Sequence, residues 1–160
     1  MRSIISFRLN GEEKELLVEP NLTLLDMLRE RLHVTSPKRS CEQGECGACT
    51  VLVDGKAVNS CLTLAVSVDG RAVETVESLG FAELHPLQKS FYELAASQCG
   101  YCTPGMILAA KAFLDENPNP TFEEVKEGLS GNLCRCTGYV KPIQAVLAAA
   151  EAMRLSARQR

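Results

Sequence analysis

The 160-residue sequence lacks the features that mark several large classes of protein. No run of apolar residues approaches the roughly 20 that a membrane-spanning helix needs. Residues 1–8 have neither the long apolar core nor the cleavage pattern of a secretory signal. The net charge is −3 and no basic stripe is present, so nucleic acid is not an expected partner. Without an export signal, we expect the chain in the reducing cytoplasm, where cysteines bind metal rather than pair.

Nucleotide-binding motifs are missing as well. The chain has neither a G-x-G-x-x-G dinucleotide fingerprint nor a P-loop. Its length leaves little room for both an organic cofactor and a substrate pocket. We therefore expect no catalytic residue on this chain.

What the sequence does contain is eight cysteines in two groups of four. Three of the first group follow the spacing C-x4-C-x2-C, and the fourth comes after eleven further residues. This is the spacing of the plant-type ferredoxin loop that binds a [2Fe-2S] cluster. Gly44 and Gly47 suit such a loop, because small residues let the backbone N–H groups approach the sulfur atoms. The predicted ligands are Cys41, Cys46, Cys49 and Cys61.

The second group has the spacing C-x2-C, then 31 residues, then C-x-C, and comprises Cys99, Cys102, Cys134 and Cys136. Two cysteine pairs are also typical of a four-thiolate zinc site, so spacing alone leaves a cluster and zinc as alternatives. A Rieske centre would need two histidines on one iron. The chain has only His33 and His85, and eight cysteines already account for two clusters.

The first half of the chain predicts a small α+β fold. Residues 3–9 alternate between apolar and polar, and Asn10-Gly11 predicts a tight hairpin to a strand over residues 13–18. Leucines at helical spacing predict a helix over residues 24–32, with Thr23 as its N-cap. Further strands are predicted at 50–53, 56–59 and 72–76. A sheet with one helix packed across it is a β-grasp.

The second half predicts four helices. The first begins at Pro86 and stops near Ser97, and the second runs from Pro104 to Glu116 behind a Thr103 N-cap. Thr121 and Glu124 predict a capping box for a third helix, which ends at Ser130-Gly131, and the last runs over residues 140–155. The predicted domains are residues 1–77 and 84–160, joined by a linker over residues 78–83. Both cysteine pairs of the second group precede helix N-termini, whose partial positive charge suits an anionic cluster.

Three stretches resemble a known family: CEQGECGACT at residues 41–50, QCGYCTPG at 98–105 and GNLCRCTGY at 131–139. Together and in this order they resemble the iron–sulfur subunit of the molybdenum hydroxylases, which include xanthine dehydrogenase, aldehyde oxidoreductase, carbon monoxide dehydrogenase and 4-hydroxybenzoyl-CoA reductase. The match spans nearly the whole chain, with no departure at the eight ligand positions. It implies a second [2Fe-2S] cluster, and a plant-type ferredoxin β-grasp domain followed by a four-helix bundle.

The resemblance also implies a function, which is to relay single electrons between a molybdopterin cofactor on a large partner subunit and FAD on a medium one. It implies a heterotrimer or a dimer of heterotrimers, with the second cluster beside the pterin and Gln98 and Cys136 at that contact. Tyr101 and Tyr139 flank this cluster and would shield it from water. The alternatives are a free-standing ferredoxin-like electron carrier, which would need only the first domain, and a zinc-stabilised interaction module.

Overall fold

A computed structural model describes residues 2–80 and 83–158, in which five strands form one sheet. The strands are β1 (Ser3–Leu9), β2 (Glu12–Val18), β3 (Thr50–Val53), β4 (Lys56–Asn59) and β5 (Ala72–Glu74). Their spatial order is β2-β1-β5-β3-β4, so β5 lies between two antiparallel hairpins. It runs parallel to β1 and antiparallel to β3.

The β1–β2 hairpin forms as predicted from its turn residues. Asn10 and Gly11 both have positive φ angles, 51° and 87°, which a tight hairpin turn with the twist of the sheet requires. The alternation in β1 places Ile5, Phe7 and Leu9 in the core, each at most 5% exposed. This face of the sheet is therefore the one that packs against the helix.

The helix across the sheet is α1, which starts at Leu24–Asp26 and continues as a π-helical turn over Met27–Arg31. Thr23 caps it as predicted, since its Oγ1 accepts a hydrogen bond from the Asp26 N–H at 3.0 Å. Buried apolar side chains of the helix join those of the sheet in one core. The helix and the sheet together form the frame for the first cysteine group.

Four helices follow: α2 (Pro86–Glu93), α3 (Thr103–Glu116), α4 (Phe122–Gly128) and α5 (Val140–Arg158). They share a second apolar core. The predicted capping box of α4 is confirmed, because Thr121 and Glu124 exchange side-chain and backbone hydrogen bonds. No helix among residues 2–80 and 83–158 is long and apolar enough to cross a membrane.

Several predicted boundaries differ from the structure. Helix α2 ends four residues before Ser97, because Ala95 has a φ of 49° and turns the chain away. Thr103 is the first residue of α3 rather than its cap, and its hydroxyl pairs with that of Ser97 at 2.9 Å. Strand β5 stops at Glu74 because a 3₁₀ turn begins at Val76.

The predicted linker, residues 78–83, lies partly outside the described residues, at positions 81 and 82. Its described beginning overlaps the 3₁₀ turn Val76–Leu79. The side chains of Val76 and Leu79 pack against the helical core. The chain leaving the sheet is thus already anchored on the helices before the predicted linker ends.

Candidate metal centres

The first four cysteines come together although Cys61 lies far from the other three in sequence. The cysteine loop leads into β3 and Cys61 follows β4, so the β3–β4 hairpin returns Cys61 to the loop. Cys46 lies close enough to Cys41, and Cys49 close enough to Cys61, to shift the pKa of the partner thiol. The four sulfur atoms therefore form two pairs, which we call the first centre.

Backbone amides of the loop point at the sulfur of Cys41. The Gln43 N–H donates to Cys41 Sγ at 3.4 Å, and the backbone amides of Cys46 and Glu45 lie close enough to lower the pKa of this thiol. These hydrogen bonds lower the pKa of the Cys41 thiol to about 6, which favours the thiolate that binds iron. The loop thus offers the N–H donors that an anionic cluster needs.

The other pair of the first centre is buried. Cys49 is 3% and Cys61 8% exposed, and both pack against Leu25 of α1. Burial raises the pKa of the Cys61 thiol to about 11, although the nearby Gly44 N–H acts to lower it. Gly44 has a φ of 79°, and a Cβ there would lie 2.5 Å from Leu62 Cδ1. The loop therefore passes closer to its neighbours than most residue types would allow.

The second centre, the group Cys99, Cys102, Cys134 and Cys136, repeats the paired arrangement. The Cys136 and Cys99 sulfur atoms are 3.6 Å apart, and both residues are exposed. The Cys102 and Cys134 thiols are half-buried, and each affects the pKa of the other. Burial, followed by the contact with Cys134, raises the pKa of the Cys102 thiol to about 12. Each centre thus has a more buried pair and a more exposed pair.

Cys134 has its own set of hydrogen bonds. Its sulfur accepts from the Thr137 hydroxyl at 3.1 Å and from the Thr137 N–H at 3.4 Å. Its N–H donates to the phenol oxygen of Tyr139 at 2.7 Å. Burial raises the pKa of the Cys134 thiol, but the hydrogen bonds from Thr137 and from the Cys136 amide outweigh it, and the pKa is lowered overall.

The pairing of the thiols suits a two-iron cluster at each centre. A structural zinc site gathers four ligands around one ion, whereas each iron of a [2Fe-2S] cluster has two protein ligands. Two thiol pairs, with N–H donors aimed at the sulfur atoms, fit a [2Fe-2S] cluster at each centre.

The two centres are joined by a buried polar contact. The Asn132 side chain, 5% exposed, donates to the Gly47 carbonyl at 2.9 Å and to Thr50 Oγ1 at 3.3 Å. The Leu133 N–H donates to the Cys46 carbonyl at 2.9 Å. Cys46 is a residue of the first centre and Leu133 directly precedes Cys134 of the second. One backbone hydrogen bond therefore links the two cysteine loops.

The other predicted site residues lie near the centres in different ways. Gln98 is exposed beside the exposed Cys99. Gly47 lies at the contact between the domains, where a Cβ would fall 2.4 Å from the Gly131 carbonyl oxygen. The hydroxyl of Tyr101 donates to the carbonyl of Arg39, so this ring connects the second centre to the loop before Cys41.

Sequence reasoning missed two residues that act on the centres, Asn132 and Thr137. Both lie inside the stretch GNLCRCTGY, where the sequence analysis assigns roles to the cysteines and to Tyr139 but none to these two polar residues. Polar residues within one to three positions of a ligand are the signal that could have found them, since such residues often orient ligands.

Comparisons with known proteins agree with these two centres. A family model described as a 2Fe-2S iron–sulfur cluster binding domain matches residues 7–77, and one described as a [2Fe-2S] binding domain matches residues 75–147. The chain is 52% identical over 150 residues to the nicotinate dehydrogenase small FeS subunit of Eubacterium barkeri, with 92% of this chain and 94% of that one covered.

Two solved structures share the whole fold. Quinoline 2-oxidoreductase from Pseudomonas putida 86 superposes with a TM-score of 0.92 at 49% identity, covering 96% of this chain and 97% of the matched chain. Aldehyde oxidoreductase from Desulfovibrio gigas superposes with a TM-score of 0.92 at 41% identity, covering 96% of this chain but only 17% of that one. In the second enzyme the same fold is thus a small part of a much longer chain.

Proposed function

Because the chain belongs to the family of iron–sulfur small subunits of the molybdenum hydroxylases, we propose that it relays electrons between a molybdopterin centre on a large partner subunit and FAD on a medium one. As the iron–sulfur subunit of a multi-subunit oxidoreductase, it carries two [2Fe-2S] clusters. Each bound cluster supplies the capacity to take up and release one electron. The protein residues bind the clusters, hold them in place and limit access of water.

The observation that best supports a relay is the hydrogen bond from Leu133 to Cys46. It connects the two centres through one N–H···O=C contact, and Asn132 holds the same two loops together beside it. A stand-alone carrier needs only one centre, whereas two centres fixed against each other suit transfer from one to the other. We assign the eight cysteines as cluster ligands and propose residues 1–77 and 84–160 as the two cluster domains, connected by residues 78–83.

We propose that the second centre faces the molybdopterin. Its outer pair, Cys99 and Cys136, is exposed, and the exposed Gln98 lies directly beside it. A subunit docked here could bring a cofactor next to ligand sulfur and let the Gln98 amide hydrogen-bond to it. The first centre then faces the FAD, with the partly exposed pair Cys41 and Cys46 outward. The proposed assembly is a heterotrimer or a dimer of heterotrimers, in the cytoplasm, where eight free thiols remain reduced.

Metal analysis and spectroscopy of the native complex test this function. Two [2Fe-2S] clusters require four irons and four acid-labile sulfides per chain, with no stoichiometric zinc. The distance from each cluster to molybdenum, measured by spin–spin coupling, tests the order of the relay. A first centre nearer to molybdenum than the second would reverse it. A native protein that elutes as a small monomer would instead favour the free-standing carrier.

The change Gln98→Ala tests the proposed pterin contact. Both clusters should remain, since no ligand is removed, while electron transfer from reduced molybdenum to the second centre slows. A hydrogen bond lost from a buried interface costs about 1–3 kcal/mol. Gln144→Ala, which removes an exposed glutamine from α5, is the matched control and should leave this rate unchanged. An unchanged rate in Gln98→Ala would contradict the assignment of Gln98.

A further inference from the structure

The sulfur of Cys134 has a donor of a kind that the other ligands lack. The Thr137 hydroxyl donates to it at 3.1 Å, in addition to the Thr137 N–H at 3.4 Å. Among residues 2–80 and 83–158, this is the one side-chain hydroxyl that donates to a ligand sulfur. At the first centre, the donors to Cys41 other than the paired thiol are backbone amides. A substitution can therefore remove a donor at the second centre without changing the backbone.

The structure fixes the direction in which the Thr137 hydroxyl points. Its oxygen accepts a hydrogen bond from the Tyr139 N–H at 3.3 Å, which leaves the hydroxyl hydrogen for the sulfur of Cys134. The Tyr139 phenol oxygen in turn accepts from the Cys134 N–H at 2.7 Å. Cys134, Thr137 and Tyr139 therefore close a ring of hydrogen bonds, in which each residue orients the next.

Backbone strain in the loop supports a functional role for this ring. Gly138 and Tyr139 have φ angles of 65° and 69°, two successive residues in the left-handed region. For Tyr139 this conformation costs about 1–2 kcal/mol, because its Cβ crowds the following carbonyl. The strained turn folds the tyrosine ring back over Cys134 and places its N–H against Thr137. Strain of this kind persists where the surrounding structure over-determines it, often at functional sites.

We propose that the Thr137 hydroxyl raises the reduction potential of the second cluster. This inference rests on the function proposed above. Reduction adds one electron to the cluster, and no bond forms or breaks, so the hydroxyl proton stays on Thr137. The added negative charge is shared by the ligand sulfur atoms, and a hydrogen bond to Cys134 stabilises the reduced form more than the oxidised form. Hydrogen bonds to ligand sulfur are among the factors that set cluster potentials.

The test compares Thr137→Val with Thr137→Ser in the assembled complex. Valine keeps the shape but removes the hydroxyl, and serine keeps the hydroxyl. Midpoint potentials of both clusters are read from a reductive titration followed by electron paramagnetic resonance. We expect valine to lower the potential of the second cluster, by about 59 mV for each tenfold loss in the ratio of reduced to oxidised cluster. Serine should retain the original potential, and the first cluster should not shift in either variant.

Thr103→Val is the matched control. Thr103 follows a ligand of the same cluster, Cys102, but its hydroxyl pairs with Ser97 at 2.9 Å instead of a sulfur atom. Its removal should leave both potentials unchanged. A shift in Thr103→Val as large as that in Thr137→Val would overturn the proposal, because loss of any nearby hydroxyl would then have the same effect.

Other outcomes would also overturn the proposal. One is an unchanged midpoint potential of the second cluster in Thr137→Val. Another is an equal shift in the potentials of both clusters in that variant. The third is a potential in Thr137→Ser that shifts as far as in Thr137→Val. If the valine variant loses the second cluster, Thr137→Ala replaces it under the same expectations. Iron content separates this failure from failure of the proposed function: a wild-type complex without two clusters contradicts the function, whereas two clusters with unshifted potentials contradict only the role of Thr137.

Discussion

The two centres bind the same kind of cluster in different structural settings. The first centre takes three of its four cysteines from one nine-residue loop and the fourth from the end of a β-hairpin. The second takes two cysteines from each of two loops that α3 and α4 separate. In the first, most donors to sulfur are backbone amides of the cysteine loop, while the second adds the Thr137 side chain. The outer pair of the second centre, Cys99 and Cys136, is also more exposed than the outer pair of the first, Cys41 and Cys46.

The difference shows which part of the sequence controls each centre. The loop of the first centre itself supplies three ligands and the N–H donors to Cys41, provided that its glycines keep their backbone conformations. The second centre depends on helix packing to bring two distant loops together, so its properties can be tuned by side chains. The hydrogen bond between Asn132 and Gly47 holds the two centres against each other.

The largest effect is expected from Cys46→Ser, which should abolish or strongly perturb the first cluster and leave the second. Cys46 belongs to the first centre only, so the helical domain keeps all four of its thiols in this variant. Iron per chain, and the electron paramagnetic resonance signal of each cluster, measure the result. Cys102→Ser is the mirror variant and should remove only the second cluster. Loss of both clusters from a folded Cys46→Ser chain would contradict the division into four and four.

Gly47→Ala should destabilise the contact between the centres. At a φ of 66°, an added Cβ would lie 2.4 Å from the Gly131 carbonyl oxygen and 2.6 Å from Asn132 Nδ2. Left-handed strain and overpacking together should cost about 2–5 kcal/mol in free energy of unfolding. Gly70→Ala is the control, with a φ of 73° and nothing within 4 Å of its Cβ, and should cost only about 1–2 kcal/mol. If denaturant unfolding shows equal losses of free energy of unfolding in Gly47→Ala and Gly70→Ala, the contact between the centres adds nothing to stability.

Asn132→Leu should have a smaller effect on the same contact. It removes the donor to the Gly47 carbonyl and to Thr50 Oγ1 in a buried place, at a cost of about 1–3 kcal/mol. We expect the two domains to unfold less cooperatively, which probes for each cluster would detect as separated transitions. Asn59→Ala removes a donor to the Gly44 carbonyl within the first domain and serves as control. Coincident transitions in Asn132→Leu would argue against coupling through this residue.

The smallest effect is a pH dependence confined to the helical domain. His85 caps α2, with its Nδ1 accepting from the Leu87 N–H at 3.2 Å, and burial lowers the pKa of its imidazole. The unfolded chain then binds more protons than the folded one, so stability rises with pH and falls as pH drops below about 6.5, the unfolded value. The positive charge of Lys111 also lowers the pKa of His85, whereas the negative charge of Asp115 raises it. His85→Asn keeps a capping acceptor, so the acid-side loss of stability should become smaller, as measured by unfolding at pH 5 and pH 8.

The sequence was most informative where one short stretch determines the structure. Asn10-Gly11 and Asp54-Gly55 both adopt positive φ angles, so both hairpins could be predicted from turn chemistry alone. The spacing of the cysteine loop reflects the size of the cluster that it wraps, so its metal could be predicted as well. The capping box at Thr121 is local in the same sense.

Features that depend on distant residues, or on residue types used against their usual preference, could not be predicted in this way. Asn132 reaches Gly47 across 85 positions, and no periodicity links the two. The cap at His85 was missed because histidine is not among the usual capping residues. Early termination of α2 depends on a left-handed Ala95, a conformation that alanine rarely adopts. The contact of Asn132 is tertiary, whereas the His85 cap and the Ala95 turn are local features that depart from the usual preferences of their residue types.

Strand β5 has a consequence for how the protein is made. It lies at the centre of the sheet but is its last strand in sequence, and only two residue pairs join it to each neighbour. A nascent chain that has not yet reached residue 72 contains both hairpins and all four cysteines of the first centre, without the strand that unites them. The sheet beneath the first cluster is therefore completed during translation only as synthesis passes to the helical half, when the ribosome adds about 5–20 residues per second. Iron delivered before that moment would encounter the first-centre cysteines while the sheet still lacks β5.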